Sequence, residues 1–174
     1  DYAKSLFMSG ADKIVLNSVL TDNPELVLEL ISEYGSQSII ASIDYIVEDN
    51  LVKMFKNNGS VPINFDFGEY IEYIQNLGVG EVYLNSIQQD GTGQGFNIEA
   101  IQKYLKLFKI PVIIAGGAGN FSHFVDASKY DEIDAFATAN LFNFIGNSLP
   151  NTRNEMIQRN IRLAKFSSIE LLNQ

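Results

Sequence analysis

The sequence predicts an α/β fold built on parallel strands, and three observations predict it. Five short apolar runs alternate with helix-forming stretches along the whole chain, and such regular alternation implies parallel strands with right-handed crossovers. The runs are apolar throughout rather than alternating, as expected of strands covered on both faces. Polar residues and glycines follow directly after several of these runs, at the C-terminal ends where parallel α/β proteins place their sites.

The elements follow in order. Tyr2 to Gly10 reads as the end of a helix closed by Gly10. Lys13 to Asn17 is a short buried strand. Asn23-Pro24-Glu25 opens a helix that runs through Tyr34, with Gly35 as its stop signal. Ser38 to Ile43 is the second strand. Between Glu48 and Ile63 the pattern breaks, and Asn57-Asn58-Gly59 suggests a hairpin turn inside a loop excursion. Phe67 to Leu77 is helical and ends at Gly78 and Gly80. Glu81 to Asn85 is a strand, followed by a polar, glycine-rich loop through Gly95. Ile98 to Phe108 is a helix with lysines near its end, as the helix dipole favours. Pro111 to Ala115 is a strand, Phe121 to Ser128 a short helix, Ala135 to Thr138 the last strand, and Asn154 to Phe166 a final helix. No linker or low-complexity segment divides the chain, which reads as one domain over residues 1–174. An open doubly wound sheet and a closed barrel both fit this order, and the loops discriminate between them better than the strands.

Composition narrows the function classes. With 174 residues the chain can bury a real core but is short for a complete eight-stranded α/β barrel, which needs about 250. The apolar runs are too short to span a bilayer, so no membrane partner is expected. No apolar leader opens the chain, and a cytoplasmic location is expected. There is no cysteine, which excludes disulfides and thiolate metal sites. A single histidine, His123, argues against a histidine-based metal centre. No metal or cofactor is therefore expected. The net charge of −9 argues against nucleic acid as a partner. It leaves room for a phosphorylated small molecule, because backbone amides bind phosphate without cationic side chains.

Three strand ends carry candidate chemistry. After Val112-Ile113-Ile114 comes Ala115-Gly116-Gly117-Ala118-Gly119-Asn120, where glycines let backbone N–H groups approach an anion. After Phe136-Ala137-Thr138 comes Ala139-Asn140, and consecutive loops of this kind often share one phosphate. The stretch Asn85 to Gly95 is long and polar, and able to fold over a ligand. Asp44 follows Ile39-Ile40-Ala41-Ser42-Ile43 at a strand exit. A partly desolvated carboxylate there suits proton transfer, though from position alone a helix-cap or loop aspartate is the better reading. Asn17-Ser18 offers neutral donors for a second anion, or a plain turn and N-cap pair.

Taken together, the ordered segments resemble a known family. They include Gly10-Ala11-Asp12-Lys13-Ile14, Asn17-Ser18, Asn23-Pro24, Tyr34-Gly35-Ser36-Gln37, Ile43-Asp44 and Gly78-Val79-Gly80-Glu81. Further on come Ser86-Ile87, Asp90-Gly91-Thr92, Ile114-Ala115-Gly116-Gly117-Ala118-Gly119, His123-Phe124 and Ala137-Thr138-Ala139-Asn140-Leu141-Phe142. The set resembles the cyclase subunit of imidazole glycerol phosphate synthase from about Ser5 to about Phe144.

The resemblance implies a TIM-type (β/α)8 barrel, incomplete at its N-terminus, whose visible strands correspond to the fourth to the eighth. It implies a lyase of histidine biosynthesis that takes ammonia from a partner glutaminase. With that ammonia it converts a bisphosphorylated ribonucleotide to imidazole glycerol phosphate and aminoimidazole carboxamide ribotide. Asp44 falls on one of the family's catalytic aspartates and Asp90 on a loop carboxylate at the site. Gly91, Gly116, Gly117, Ala139 and Asn140 fall at one phosphate site, Asn17 and Ser18 at the other. Lys13 and Glu81 fall on the charged gate for ammonia, and Asp12 and Gln37 on the glutaminase-facing surface. The other catalytic aspartate, on the family's first strand, falls outside this sequence.

Some positions depart from the family pattern. Gln88-Gln89-Asp90 replaces an acidic-basic-acidic loop. Asn85 stands for a threonine, and Ala115 and Asn140 stand for serines. This drift also fits a paralogue that supplies ammonia for nitrogen-containing surface sugars. Unaided, the residues place Lys13 and Glu81 at strand beginnings, where they form either a gate or a stabilising rim salt bridge.

Overall fold

The computed structural model describes residues 2–139, 141 and 148–164. Helix α1 (Tyr2–Met8) leads into strand β1 (Ile14–Leu16). A short helix α2 (Val19–Asp22) and then α3 (Pro24–Tyr34) follow. Strand β2 (Ile39–Glu48) continues into β3 (Leu51–Lys56) and β4 (Val61–Ile63), before helix α4 (Phe67–Leu77). The remainder alternates: β5 (Glu81–Ser86), α5 (Ile98–Leu105), β6 (Val112–Ala115), α6 (Phe121–Ala127), β7 (Ala135–Phe136) and α7 (Ser148–Gln158).

Helices α3 and α4 have their caps in place. The Asn23 side chain accepts from the Leu26 amide at 3.2 Å, with Pro24 at the first helical position of α3. Asp66 accepts from the amides of Gly68 and Glu69 at the start of α4, and Gly78 closes that helix in the left-handed conformation at φ 88°.

The parallel strands run β1-β2-β5-β6-β7, each hydrogen-bonded to the next parallel strand in the chain. A doubly wound sheet reverses its order at a switch point. This one does not, so right-handed crossovers place the helices on one face of the sheet. That face holds the core. Ile39, Ala41, Ile43 and Tyr45 of β2 pack with Val82 and Leu84 of β5 and Val112 and Ile114 of β6. Val27 and Leu30 of α3, Phe67, Ile71 and Ile74 of α4, and Ile101 and Leu105 of α5 cover them. Each large apolar side chain buried here contributes about 1.5–3 kcal/mol over exposure.

On the opposite face burial is uneven: Ile40 and Ser42 of β2 are buried, as expected of strands covered on both sides, but β5 and β1 are not. Burial along β5 alternates, with Val82, Leu84 and Ser86 buried and Glu81, Tyr83 and Asn85 only partly so. Val15 on β1 is 55% exposed. The partly exposed positions of β5 are the polar or amphipathic residues Glu81, Tyr83 and Asn85, at every second place along the strand. The described strands do not close into a barrel.

Two further readings are corrected. The second strand does not end at Ile43. Tyr45-Ile46-Val47 continue it to Glu48, and Asp49 and Asn50, at φ 52° and 60°, turn it into an antiparallel pairing with β3. The excursion that follows is thus an ordered meander, with Asn57-Asn58-Gly59 as the turn between β3 and β4. The final helix spans Ser148–Gln158 rather than starting at Asn154. Pro150 sits in its first turn, where no intrahelical donor is needed. Asn160 at φ 60° ends it: Asn160 N–H donates to Ile157 O at 2.9 Å and Ile161 N–H to Met156 O at 3.0 Å. That pair of bonds is a Schellman closure. Phe166 lies outside the described residues.

Smaller differences concern ends: the helix expected through Phe108 stops at Leu105, and the last strand stops at Phe136. Among the described residues no helix is long and apolar enough to cross a membrane.

Candidate functional site

The loops that follow β5, β6 and β7 enclose a cavity of about 260 Å³ at the C-terminal ends of the strands. Tyr83, Asn85, Asp90, Gly91, Gly116, Gly117 and Ala139 contribute to its wall. The structure therefore brings together Asp90 with four of the five residues expected at one phosphate site. The fifth, Asn140, lies outside the described residues.

Two glycine loops make this wall by interlocking. Gly95 N–H donates to Gly117 O at 2.7 Å. A Cβ on Gly117 would meet Gly95 O at 2.1 Å, and one on Gly119 would meet Gly93 O at 2.2 Å. Neither contact tolerates a side chain, so glycine is required for close backbone approach. His123 locks the second loop from outside, its Nδ1 accepting the Gly119 N–H at 3.0 Å. The loop from Ser86 to Gly95 is likewise ordered: the Gln89 and Asp90 amides both donate to Ser86 O at 3.0 Å.

Asp44 sits beside this cavity, inside β2 and not beyond it. Its register partner on β5 is Asn85 and on β3 is Phe55. Its Oδ1 accepts from Asn85 Nδ2 at 3.3 Å and from Ser42 Oγ at 3.1 Å. Asn85 lines the cavity, so the carboxylate is one hydrogen bond from its wall. Tyr83 lies on the same face. Burial above all, and then the negative charges of Asp90 and Asp44, push its phenol above the usual tyrosine range. Both carboxylates thus act on one side chain at the mouth.

The other predicted residues fall elsewhere. Asn17 Nδ2 donates to Ser42 O and to Phe55 O, both at 3.2 Å, and so ties β1 to β2 and β3. Ser18 Oγ donates to Asn57 Oδ1 at 2.9 Å and accepts the Asn57 N–H at 3.0 Å. Neither residue lines the glycine-walled cavity. Lys13 and Glu81 form an ion pair across β2, at the opposite, N-terminal end of the sheet. Asp12 and Gln37 are exposed at that same end, just before β1 and β2. Ser42 and Tyr83, beside the cavity, were not singled out by the sequence, and Asn85 was read there as the first residue of the polar loop. Their signal is period two: each shares the sheet face of Asp44 on β2 or its neighbour β5.

Parallel strands in chain order, with the site at their C-terminal tips, define part of a TIM-type (β/α)8 barrel. The sequence profile described as "Histidine biosynthesis protein" matches residues 1–146, and the chain belongs to that family. It is 36% identical over 164 residues to the imidazole glycerol phosphate synthase subunit HisF of Hydrogenobaculum sp., covering 94% of this chain and 65% of that one. A protein of Parasynechococcus marenigrum, provisionally named imidazole glycerol phosphate synthase subunit hisF2, is 37% identical over 166 residues, covering 94% and 61%. The HisF of Pyrobaculum aerophilum is 34% identical over 161 residues, covering 92% and 63%. The chain therefore spans a little under two thirds of the length of these relatives.

Proposed function

We propose that this chain is part of an ammonia-using cyclase of imidazole glycerol phosphate synthase. It would take ammonia from a partner glutaminase. With it, a bisphosphorylated ribonucleotide becomes imidazole glycerol phosphate and aminoimidazole carboxamide ribotide. One observation carries the reading: the Asp44 carboxylate is hydrogen-bonded to Asn85, a wall residue of the glycine-lined cavity. An anion held there by the Gly91, Gly116, Gly117 and Ala139 loops brings a phosphorylated substrate within reach of a proton-transferring group.

In this reading Asp44 is the general acid/base and Asp90 assists from the loop. Asn140 completes the phosphate site, and Asn17 and Ser18 hold the second phosphate. Their present bonds to β2 and the β3–β4 turn preset that end of the site. Ammonia enters past Lys13 and Glu81, and the glutaminase docks at Asp12 and Gln37. The chain belongs to a single barrel domain and works in the cytoplasm. The names of the relatives favour the histidine-pathway cyclase over a surface-sugar paralogue.

The test is Asp44→Asn in the intact protein, assayed with ammonium salts and the ribonucleotide intermediate. Turnover is expected to vanish while substrate affinity stays within about threefold, because the amide keeps the carboxylate's shape but moves no proton. Near-normal turnover in that variant would remove Asp44 from the mechanism.

A further inference from the structure

We infer that Ser42 and Asn85 are positioning residues for Asp44, and that they divide its carboxylate into one held oxygen and one working oxygen. The inference rests on the reading of Asp44 as the proton-transferring group.

Ser42 lies two residues before Asp44 on β2, so both side chains stand on the same sheet face. It is only 7% exposed, and its hydroxyl donates to Asp44 Oδ1 at 3.1 Å. Asn85 is the direct register partner of Asp44 on β5, and its amide donates to the same oxygen at 3.3 Å. Two donors from two strands therefore converge on Oδ1. Oδ2 accepts no hydrogen bond among the described residues.

A carboxylate's terminal torsion is broad and two-fold, so without such donors its oxygens would exchange roles freely. With Oδ1 held, a proton taken from the substrate lands on Oδ2 and is returned from Oδ2. The carboxylate gains one proton and loses the same one, and its plane does not turn between the two transfers. Ser42 is itself anchored, because its carbonyl accepts from Asn17 Nδ2, which also binds Phe55 O on β3. The orienting pair thus rides on backbone fixed at both neighbouring strands. Neither residue exchanges a proton with substrate; they act through Asp44.

The experiment compares Ser42→Ala, Ser42→Thr, Asn85→Leu and Asn85→Ser in the intact protein, with ammonium salts as the nitrogen source. Losing one hydrogen bond to Asp44 that matters only in proton transfer lowers kcat about tenfold; KM stays within about twofold for the Ser42 variants, whereas the Asn85 variants, at the cavity wall, are read by kcat and its recovery. Threonine at 42 and serine at 85 keep a hydroxyl donor and recover most of kcat. A purely structural role would instead lower the folded fraction, move kcat and KM together, and show no recovery tied to the donor.

Unchanged kcat in both Ser42→Ala and Asn85→Leu, with Asp44→Asn inactive, overturns this inference and leaves the proposed function standing. Full turnover in Asp44→Asn overturns both. Should Ser42→Ala fold poorly, the Asn85 pair decides by kcat: a tenfold loss in Asn85→Leu recovered in Asn85→Ser supports the inference, and unchanged kcat overturns it.

Discussion

Gly117→Ala gives the sharpest test of the interlocked loops, because two separable costs meet at that residue. Its φ of 107° lies where an L side chain is strained, at roughly 1–2 kcal/mol. The new Cβ would also stand 2.1 Å from Gly95 O, whereas ordinary contact begins near 3.4 Å. The loops must part by about 1.3 Å, the difference of those two distances. That displacement breaks the 2.7 Å bond from Gly95 N–H to Gly117 O, a loss of about 1 kcal/mol. The sum is about 2–3 kcal/mol, or a Tm about 4–12 °C lower for a domain of this size. If these loops hold the phosphate as proposed, amides displaced by about an ångström lose charge-assisted bonds to it, and affinity falls about 10- to 100-fold.

Gly10→Ala is the control. Its φ is 97°, yet nothing lies within 4 Å of the added Cβ, so it carries the backbone strain without the collision. Scanning calorimetry gives the Tm of both variants, and calorimetric titration with the proposed ribonucleotide substrate gives the affinity. If Gly117→Ala costs no more than Gly10→Ala and binds as the wild type does, the loops do not interlock as described.

Two other predictions follow. Lys13→Met or Glu81→Gln should change stability by less than about 1 kcal/mol, since the pair is partly solvated. If the pair gates ammonia, glutamine-dependent turnover changes while turnover with ammonium salts does not; equal effects on both would make it a rim salt bridge only. The second prediction concerns alkaline stability. Burial pushes the Tyr45 phenol from 10.0 up to about 12, partly offset by the Ser86 hydroxyl. The folded pKa is above the unfolded one, so this contribution is fully present below pH 10 and is lost as pH rises towards 12. It amounts to about 3 kcal/mol, and Tyr45→Phe should flatten that part of the stability profile in denaturant titrations between those pH values.

Much of the architecture was legible in local chemistry. Asn23-Pro24 and Gly35 bound α3, and Gly78 closes α4, because caps and left-handed glycines act within a few residues of themselves. The glycine-rich loops after β5 and β6 were legible as places of close backbone approach for the same reason. The length of β2 was not: Asp44 looked like a strand exit, yet pairing with β3 and β5 carries the strand through it. The start of α7 was placed at Asn154, yet the helix begins at Ser148, with Pro150 tolerated in its first turn.

The order of residues by itself determined the alternation of strands and helices, the caps, and the identity of the groups that could do chemistry. Each of these depends on neighbours close in the chain. Only the tertiary structure decided which groups meet. Register between β2 and β5 sets Asn85 against Asp44 across 41 residues, and glycine against glycine brings two loops to backbone contact. Such meetings depend on strand register and long-range packing, which no local pattern encodes.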